Sequence, residues 1–404
     1  MSCSKSILII AERFYPEEFG INDLAQAWSE EGFKVEVLCQ TPSYPFDKVY
    51  EGYKNSVYRK DIWKGVTIHR IYSLLGYKRS VIRKVANYLF FAFFASFFAV
   101  FIGRRSDNIF IYHVGPLTQA IPGLLVKKLF KKKLFVWTLD VWPDSVYAYG
   151  FKKTGLSSFI LDKFVSTIYR NCTSVFVSCK GFKKKILKYS PESKVIFSPQ
   201  WVPTDMNFES AISNPAMKEG INFTFAGNIG TVQNLENVIK GFSLVKKGIP
   251  GSKSAYLNII GDGSNLDALK NLVDEQGIKN VFFWGRRPLA EMPTWFEGSD
   301  ALIISLIDQP VFSLTVPAKF QAYLAAGKPI ICLMKGEVAA LVQENDIGFI
   351  ADPNDIAGIK QIFEKFSSIS KEDRERLKSN MYRLLSDEYN REIVIRRKTE
   401  EIFG

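Results

Sequence analysis

A run in the last quarter of the chain, Val316–Pro329, contains residue types that bind anions. It predicts a loop, then a helix that ends at Gly327, then a strand opened by Pro329. The first turn of such a helix presents backbone N–H groups without helical acceptors and the positive end of the helix dipole, which suit a diphosphate. Lys319 adds a full positive charge, and Gln321 can present its amide to sugar hydroxyls. By itself, the run predicts an anion-binding site.

A glycine-containing loop, Gly227–Gly230, is a second candidate for phosphate binding. It follows the predicted strand Ile221–Ala226 and precedes a helix near Leu235. Glycine has no Cβ, so backbone amides there can approach a phosphate closely. Such a loop alone is as often an ordinary turn, but two loops at strand ends of one domain support each other. The similar run Ile260–Gly263 is interpreted as a plain turn.

Strands and helices alternate along the chain, which predicts parallel, doubly wound sheets with ligands bound outside the carboxyl ends of the strands. A helix near Asn22–Glu31 is expected to end at Gly32. The first series of strand candidates is Ser6–Ile10, Lys34–Cys39, Val66–Ile71, Ile109–Tyr112, Leu134–Thr138, Ser174–Ser178 and Lys194–Phe197. The second series is Ile221–Ala226, Tyr256–Ile260, Val281–Trp284, Ala301–Ser305, Pro329–Leu333 and Gly348–Ala351.

A chain of 404 residues exceeds the length at which single cores usually stop growing, so two domains are expected. The polar stretch Asp205–Gly220 is taken as the linker between them. The predicted domains are residues 1–205 and 206–380, facing each other across a cleft. Residues 381–404 belong to a closing helical stretch, Lys371–Phe403, that crosses back to the first domain.

The net charge of +12 is unevenly distributed. Residues 1–213 hold 30 Lys and Arg against 17 Asp and Glu, whereas the remaining residues hold 23 against 24. A basic first half suits anionic lipid or nucleic acid, although each lysine run taken alone is as often a solvated helix face. The five cysteines are widely spaced and only two histidines are present, so neither a disulfide framework nor a zinc site is expected. A reducing cytoplasm fits best.

The segment Val85–Ile102 is rich in Phe and is flanked by Arg83-Lys84 and Arg104-Arg105. It is slightly shorter than the roughly 20 apolar residues that cross a bilayer, and it contains Asn87. The preferred interpretation is a helix that lies in the membrane surface. A buried core helix and a membrane span are the alternatives.

Together these residues resemble the family-4 glycosyltransferases of the GT-B fold, within them the capsule and O-antigen group typified by N-acetylfucosamine transferase. The matching runs follow one another in order along nearly the whole chain. They are Phe14–Gly20, Thr41–Pro45 with Tyr50–Tyr53, Leu139–Ser145, Gln200–Val202, Phe225–Gly230 and Val316–Pro329.

The resemblance implies an α/β GT-B fold and transfer of a sugar, with retention, from a nucleoside diphosphate sugar and without a metal or other cofactor. It favours a UDP-linked, N-acetylated donor and a polyprenyl-diphosphate-linked acceptor of surface polysaccharide synthesis at the cytoplasmic face of the membrane. The chain contains no Asp-x-Asp run, in agreement with a metal-independent reaction. Protein groups must then meet the charge of the leaving diphosphate.

Several residues are assigned to the site on this basis. Lys319, His113 and Asp140 are the catalytic candidates. The substrate-binding candidates are Gly20, Asp144, Asn228, Ile229, Gly230, Arg286, Ser313, Thr315, Val316, Pro317 and Gln321. Ser313 and Gln321 occupy the places of the family's two glutamates. The loop after Gly230 lacks the family's Arg and Lys, which increases the importance of Lys319.

Four of these assignments have a structural alternative. His113 follows a strand and could bond the donor sugar, but a lone histidine is more often a structural residue. Asp140 and Asp144 could contact acceptor or sugar, or could cap a helix. Arg286 is equally suited to a solvent-exposed loop.

Two further functions stay open at this point. One is a GT-B enzyme with a soluble small-molecule or protein acceptor. The other is a non-catalytic protein that binds sugar nucleotides or nucleic acid. No recognised nucleic-acid-reading helix or RNA-binding aromatic motif accompanies the basic residues, so a nucleic-acid partner is not expected.

Overall fold

The computed structural model describes residues 5–77, 80–148, 151–209, 211–214, 216–245 and 254–404. The chain divides into two compact units. The first comprises residues up to Pro199 together with Glu392–Gly404, and the second is Gln200–Arg391. The sequence-based boundaries at residues 205 and 380 differ from these by 6 and 11 positions. Cys3 lies outside the described residues.

The first unit is built on an eight-stranded sheet with the order β3-β4-β2-β1-β5-β6-β7-β8. Its strands are β1 Ser6–Ile10, β2 Lys34–Gln40, β3 Tyr58–Trp63, β4 Val66–Ile71, β5 Asn108–His113, β6 Lys133–Thr138, β7 Ser174–Val177 and β8 Val195–Phe197. Every residue of β1 is buried, because helices cover both faces of this central strand. The predicted strands and their parallel pairing are confirmed, apart from one hairpin.

The hairpin of β3 and β4 is antiparallel and was not predicted. Lys64 and Gly65 form its turn, both with positive φ, as a tight two-residue hairpin requires. The strand β3 lies at the sheet edge and is mostly exposed, so its sequence lacks the apolar run that marks the other strands. Apolar patterning could therefore not reveal it.

The helices of the first unit alternate with these strands. They are α1 Gly20–Glu30, α2 Val81–Gly103, α3 Ile121–Phe130, α4 Asp144–Ala148, α5 Gly155–Asn171 and α6 Lys180–Ile186. As expected, Gly32 adopts a left-handed conformation just beyond the end of α1. Right-handed crossovers place α2, α3, α5 and α6 on one face of the sheet and α1 on the other.

The second unit is built on a six-stranded parallel sheet with the order β11-β10-β9-β12-β13-β14. Its strands are β9 Ile221–Ala226, β10 Ala255–Ile260, β11 Val281–Gly285, β12 Ala301–Ser305, β13 Ile330–Leu333 and β14 Gly348–Ile350. Its helices are α7 Leu235–Ser243, α8 Leu266–Glu275, α9 Met292–Glu297, α10 Lys319–Ala326, α11 Glu337–Glu344, α12 Ile356–Ser367 and α13 Lys371–Glu388. The strand order reverses between β9 and β12, which is the doubly wound arrangement that was predicted.

The segment that was expected to link the two domains packs against the second unit. Within Asp205–Gly220, the Asn214 N–H donates to Thr294 O at 3.1 Å, and Met206 is buried. A Cβ at Gly298 would meet Met217 Sδ at 2.5 Å, so the segment packs closely against the end of α9. Its polar composition therefore marks irregular backbone of the second unit and not a domain boundary.

The closing helical stretch is interrupted at Tyr389 and Asn390, where a second helix, α14 Arg391–Phe403, begins. This helix packs against α1: Phe33 stacks on Phe403 with ring centroids 3.9 Å apart, and Trp28 Nε1 donates to Thr399 Oγ1 at 3.0 Å. Lys398 is fully buried, with its Nζ 4.0 Å from the centroid of the Trp137 ring. The last residues of the chain thus complete the core of the first unit.

The Phe-rich helix α2 has two different faces. Phe91, Ala95 and Ala99 are buried. Phe93, Phe97 and Phe101, spaced four residues apart, are exposed at 74%, 61% and 61%. The interpretation as a wholly buried core helix is therefore wrong. By length and composition, Ile82–Gly103 is able to cross a membrane, but core helices of soluble proteins pass the same test.

Candidate functional site

Helix α10 is held at the carboxyl end of the second sheet by one tyrosine. The Tyr323 hydroxyl accepts a hydrogen bond from Ala226 N at 3.2 Å and donates to Ile303 O at 3.4 Å. These partners lie on β9 and β12, the strands between which the order reverses. Tyr323 and Leu324 are buried, and the predicted helix end at Gly327 is confirmed, with Gly327 in a left-handed conformation. The start of the helix is consequently fixed where ligands of such sheets bind.

Lys319 opens this helix and points across the end of β9. Its Nζ lies 3.6 Å from the centroid of the Phe225 ring, a cation–π contact. A Cβ on Gly227 would lie 2.8 Å from that same nitrogen. Within the described part of the chain, no carboxylate pairs with Lys319 Nζ. Burial without a counter-charge lowers the pKa of Lys319 to about 7.

The first turn of α10 offers further donors. Ala318 precedes the helix, and no side chain caps it. The N–H groups of Ala318 and Lys319 have no acceptor among the described residues. Gln321 is 1% exposed, and its Oε1 lacks a hydrogen-bond donor. An anion at this helix start would meet Lys319 and both amides, as the sequence predicted for this run.

The loops after β9 and β10 interlock backbone to backbone. A Cβ on Gly261 would lie 1.8 Å from Gly227 O, and a Cβ on Gly263 would lie 2.4 Å from Ile229 O. Ile229 N donates to Asp262 O at 2.9 Å. The interpretation of Ile260–Gly263 as a turn and not a phosphate loop stays a prediction, and the structure adds that its glycines let the second loop support the first.

This interlocking occupies amides that were expected to bind phosphate. Ile229 N–H is bonded to Asp262 O, and Gly230 N–H donates to Gln233 Oε1 at 2.9 Å. Only the Asn228 N–H, among these three, lacks an acceptor in the described structure. The loop therefore contributes one available amide, and more of the charge falls to Lys319.

The residues before α10 form a short, self-bonded turn. Ser313 Oγ donates to Pro310 O at 2.9 Å, and Thr315 Oγ1 donates to Val311 O at 3.1 Å. Val316 is buried, and Pro317 O accepts from Phe320 N at 2.9 Å. These four residues shape the loop that positions Lys319. Neither hydroxyl is bonded to Lys319 or Gln321.

Arg286 is exposed and follows β11, two strands away from β9. At about 4.8 Å per strand, its backbone lies about 10 Å from the end of β9. The structure therefore places Arg286 beside the site and apart from the cluster around Lys319.

His113 lies at the end of β5 in the first unit and is fully buried. Its Nε2 is 3.1 Å from Gly115 O, and its Nδ1 is 2.5 Å from Thr138 Oγ1. Burial lowers the pKa of His113 to about 3, so the ring is neutral. A carbonyl oxygen can only accept, so Nε2 carries the proton. Thr138 Oγ1, the partner of Nδ1, also lies 2.8 Å from Asp140 O, and its one hydroxyl proton serves these two acceptors. This geometry favours the structural interpretation, since a sugar contact would have to replace one of these bonds.

Asp140 and Asp144 follow β6 but have different partners. Asp140 Oδ1 accepts from Val141 N at 2.8 Å, within its own turn. Burial raises the pKa of Asp140. Asp144 begins α4 and is paired with Lys185 Nζ at 2.8 Å. Neither contact is the helix cap that was the alternative: Asp140 bonds within its own turn, and Asp144 forms an ion pair.

Gly20 is the first residue of α1, and no side chain caps that helix. A Cβ on Gly20 would lie 3.9 Å from the Tyr112 hydroxyl, so the helix start is packed against the end of β5. The first unit therefore has its own helix N-terminus at the carboxyl edge of its sheet.

A buried polar cluster at this edge was missed from the sequence. Arg13 Nη2 lies 3.4 Å from Glu12 Oε1, and Arg13 Nη1 lies 3.5 Å from Glu17 Oε1. Asn87, on α2, donates to Glu12 Oε1 at 3.0 Å. Burial raises the pKa of both Glu12 and Glu17, and Arg13 opposes the shift. Charged residues directly after the apolar run Ile7–Ala11 were the available signal.

No metal centre is apparent in the described part of the chain. Among the described residues, no group of three or more His, Cys, Asp or Glu side chains is arranged to hold a metal ion. The four described cysteines are free and buried.

Comparisons with known proteins agree with this architecture. Residues 207–384 match the family model for glycosyl transferases group 1. The chain is 26% identical to WbjE of Pseudomonas aeruginosa, described as a glycosyltransferase, over 56% of this chain and 58% of that protein. It is 23% identical to WcaI of Escherichia coli (strain K12), described as a glycosyl transferase of colanic acid biosynthesis, over 92% of this chain and 95% of that protein.

A solved structure of Alr3699/HepE from Anabaena in complex with UDP superposes with a TM-score of 0.69 at 12% identity, over 98% of each chain. That likeness concerns the fold alone. The two units thus have the GT-B fold, and residues 207–384 match a glycosyltransferase domain.

Proposed function

We propose that this protein transfers a sugar from a nucleoside diphosphate sugar to a lipid-linked oligosaccharide precursor, with retention of configuration and without a metal. The observation that carries the proposal is Lys319, a lysine without a counter-charge beside the uncapped start of α10. A diphosphate at that position supplies the missing negative charge.

The site has a clear chemical use in this reaction. As the bond to the sugar breaks, negative charge grows on the leaving diphosphate. Lys319 and the N–H groups of Ala318, Lys319 and Asn228 are already positioned to meet that charge, so little reorganisation is needed. Removal of one such donor costs about 2.7–4 kcal/mol in related oxyanion sites. Front-face attack lets the leaving phosphate accept the acceptor's proton, so a catalytic carboxylate pair is not required.

A ribose hydroxyl is the natural partner for Gln321. Its buried Oε1 has no donor, and an unpaired buried oxygen costs about 1–3 kcal/mol. A hydroxyl that donates to this oxygen would remove that cost. Support for UDP comes from Alr3699/HepE, which has the same fold and is solved with UDP. We propose a UDP-linked, N-acetylated donor.

The acceptor side is proposed to lie at the cytoplasmic surface of an anionic membrane. Exposed apolar residues occur on the sheet face that carries α2, α3 and α5. They include Leu89, Phe93, Phe97 and Phe101 of α2, Leu129 of α3, and Leu156, Phe159 and Ile160 of α5. Two lysines, Lys127 and Lys128, precede Leu129 on α3. Apolar side chains surrounded by lysines suit a lipid surface with anionic headgroups, and synthesis of a surface polysaccharide requires such an acceptor.

The decisive experiment measures transfer and donor hydrolysis by the purified protein over a panel of nucleotide sugars, with a thermal-shift screen to find the ligand. The expected result is that one nucleotide sugar raises the melting temperature and is consumed. Lys319→Ala should strongly reduce both effects, whereas Lys328→Ala, just beyond the end of the same helix and paired with Glu297, should not. Unchanged turnover in Lys319→Ala would refute the assignment of the phosphate site.

A further inference from the structure

A closed ring of polar contacts joins six side chains at the carboxyl edge of the first sheet. They come from the ends of β1, β2 and β4 and from α2, and neighbours in the ring are 3.0–3.4 Å apart. Ligands of doubly wound sheets bind at this edge, and packed apolar side chains would stabilise the fold at least as well as buried charges. In order, the members are Arg13, Glu12, Asn87, Gln40, Ser73 and Ser43, which contacts Arg13 again.

Two polar atoms beside this ring have no hydrogen-bond partner among the described residues. They are Glu17 Oε2 and the Tyr77 hydroxyl, and both atoms are buried. Glu17 is 2% exposed, and its Oε1 accepts from Ser43 N at 2.9 Å and from Tyr44 N at 2.6 Å, which fixes the carboxylate. Glu17 Oε1 lies 3.5 Å from Arg13 Nη1, and the Tyr77 ring centroid lies 5.2 Å from Arg13 Cζ. An unpaired buried polar atom is destabilising, so these two atoms mark places for groups that a ligand supplies.

An exposed aromatic ring lies against the same arginine. Tyr44 is 44% exposed, and its ring centroid is 5.5 Å from Arg13 Cζ. Its side chain also contacts the Phe19 ring, with centroids 5.8 Å apart, and its hydroxyl has no partner in the described part of the chain. Because ring contacts alone hold this side chain, it can turn and admit a ligand to the two buried atoms.

These features together favour a sugar as the ligand. A pyranose has an apolar C–H face that packs on a tyrosine ring, and its hydroxyls donate to a carboxylate and accept from a phenol. The combination of one exposed aromatic face with an unpaired carboxylate oxygen and an unpaired phenol matches both parts of such a molecule.

The charges of the cluster disfavour an anionic ligand. The terminal nitrogens of Arg13 already contact Ser43 and the two carboxylates of Glu12 and Glu17, so the guanidinium is engaged by the protein. Two carboxylates at one guanidinium leave an excess of negative charge, which repels a phosphate or a uronic acid. The charge of Lys84 also acts on Glu12, but more weakly than that of Arg13.

We propose that this cluster binds an uncharged pyranose of the acceptor, stacked on Tyr44, with one hydroxyl donating to Glu17 Oε2 and another oxygen accepting from the Tyr77 hydroxyl. The inference rests on the proposed function and adds the chemical class of the acceptor sugar. Arg13 is a positioning residue, which holds the two carboxylates in place and does not touch the sugar.

The test titrates methyl glycosides into the full chain in the presence of saturating UDP and follows binding by saturation-transfer NMR. Methyl β-glucoside and methyl β-galactoside are the uncharged probes. Methyl β-glucuronide adds a carboxylate, and erythritol has hydroxyls but no ring face. We expect an uncharged glycoside to bind at least about tenfold more tightly than either methyl glucuronide or erythritol.

Tyr77→Phe separates ligand binding from a structural role. It removes a hydroxyl that has no partner in the described structure, so a structural role predicts no loss. Tyr77→Phe should weaken glycoside binding at least about fivefold, with an equal or higher melting temperature. Tyr147→Phe is the matched control, because the Tyr147 hydroxyl is also buried without a described partner but lies on α4, and this variant should keep its glycoside affinity.

Glu17→Gln tests the charge of the cluster. The substitution keeps the shape of the side chain and an oxygen for the N–H groups of Ser43 and Tyr44, but it removes one negative charge. The preference for methyl glucoside over methyl glucuronide should therefore fall at least about threefold. An unchanged preference would refute the role of this carboxylate in excluding anions.

Equal glycoside affinity of Tyr77→Phe and the unmodified chain would overturn the inference, as would tighter binding of methyl glucuronide than of methyl glucoside. Glycoside binding that is lost in Lys319→Ala and kept in Tyr77→Phe would also overturn it, since the sugar would then occupy the donor side. UDP affinity, measured in the same samples, reports on the proposed function separately. A chain that binds UDP but no glycoside refutes only the acceptor-sugar assignment.

Discussion

Lys319 combines three properties on which the proposed donor site rests, at the scale of a single residue. It is positively charged, it stands at the start of a helix, and it contacts an aromatic ring in place of a carboxylate. The sequence indicated the first two properties. The third follows from β9, which places Phe225 beside the helix start.

The lowered pKa of Lys319 predicts a pH-dependent affinity for UDP. Since the pKa is about 7 in the free protein, the side chain is largely neutral at pH 8.5. A bound diphosphate restores the charge, so binding at that pH should take up a proton and should weaken as pH rises from 7 to 9. Calorimetry in buffers of different ionisation enthalpy measures this uptake. Lys319→Ala should show no uptake and about 10–100-fold weaker binding.

The lowered pKa of Lys319 also predicts how stability depends on pH. Whereas the affinity for UDP should fall as pH rises, the stability of the fold should increase. Between pH 7 and the ordinary lysine pKa near 10.5, the unfolded chain binds more protons, so this residue makes stability increase with pH. The destabilisation of the folded protein by the charged Lys319 side chain is fully present below pH 7. Lys319→Met should therefore raise the melting temperature at pH 6 and have less effect at pH 10. A melting temperature that falls equally at both values would contradict the assignment of a partly buried, unpaired charge.

Gly227 should tolerate no side chain. Its φ of +143° disfavours L side chains, and a Cβ would press on Lys319 Nζ. Gly227→Ala is expected to lower UDP affinity by at least about tenfold. Gly277→Ala is the matched control, because Gly277 also has a positive φ, +61°, but no atom lies within 4 Å of its Cβ position. Both variants should lose some stability, and only the first should lose UDP binding in titrations.

At the scale of elements, Tyr323 links α10 to the second sheet. Tyr323→Phe would leave the buried Ala226 N–H without its acceptor, at a cost of about 1–3 kcal/mol in the free energy of unfolding. Urea titration measures this loss, and added UDP should recover part of it through binding. If the variant is as stable as the unmodified chain, the hydroxyl does not hold the helix.

The two faces of α2 predict a second effect at this scale. Replacing Phe93 and Phe97 with Ser should reduce co-sedimentation with anionic vesicles by at least about tenfold, because each buried Phe contributes about 1.5–3 kcal/mol. Ile62→Ser, at an exposed position of β3, is the control. High salt should weaken binding further. Vesicle binding that is unaffected by the Phe changes would place the contact elsewhere.

At the scale of the whole molecule, the chain returns to its first unit after completing the second. Helix α14 buries Phe403 against Trp28 and Phe33 and inserts Lys398 beside Trp137. Deletion of residues 392–404 should expose these aromatic residues and make the first unit sensitive to protease. The second unit, which contains Lys319, should still bind UDP. Proteolysis followed by UDP titration tests both expectations.

The sequence by itself determined the α/β class, the succession of most strands along the chain and the loop, helix and strand around Lys319. These features depend on local chemistry: apolar runs form buried parallel strands, and Gly327 ends a helix wherever its neighbours lie. The edge strand β3 was not predictable in this way, since it is mostly exposed.

Only the tertiary structure decided which polar groups are available. Ile229, Gly230 and His113 look like ligands in the sequence, but each is bonded to a residue from a neighbouring loop or strand, or within its own turn. The Glu12–Arg13–Glu17 cluster forms because β1, β2 and α2 bring their ends together. A hydrogen bond depends on positions in space, and residues distant along the chain set those positions.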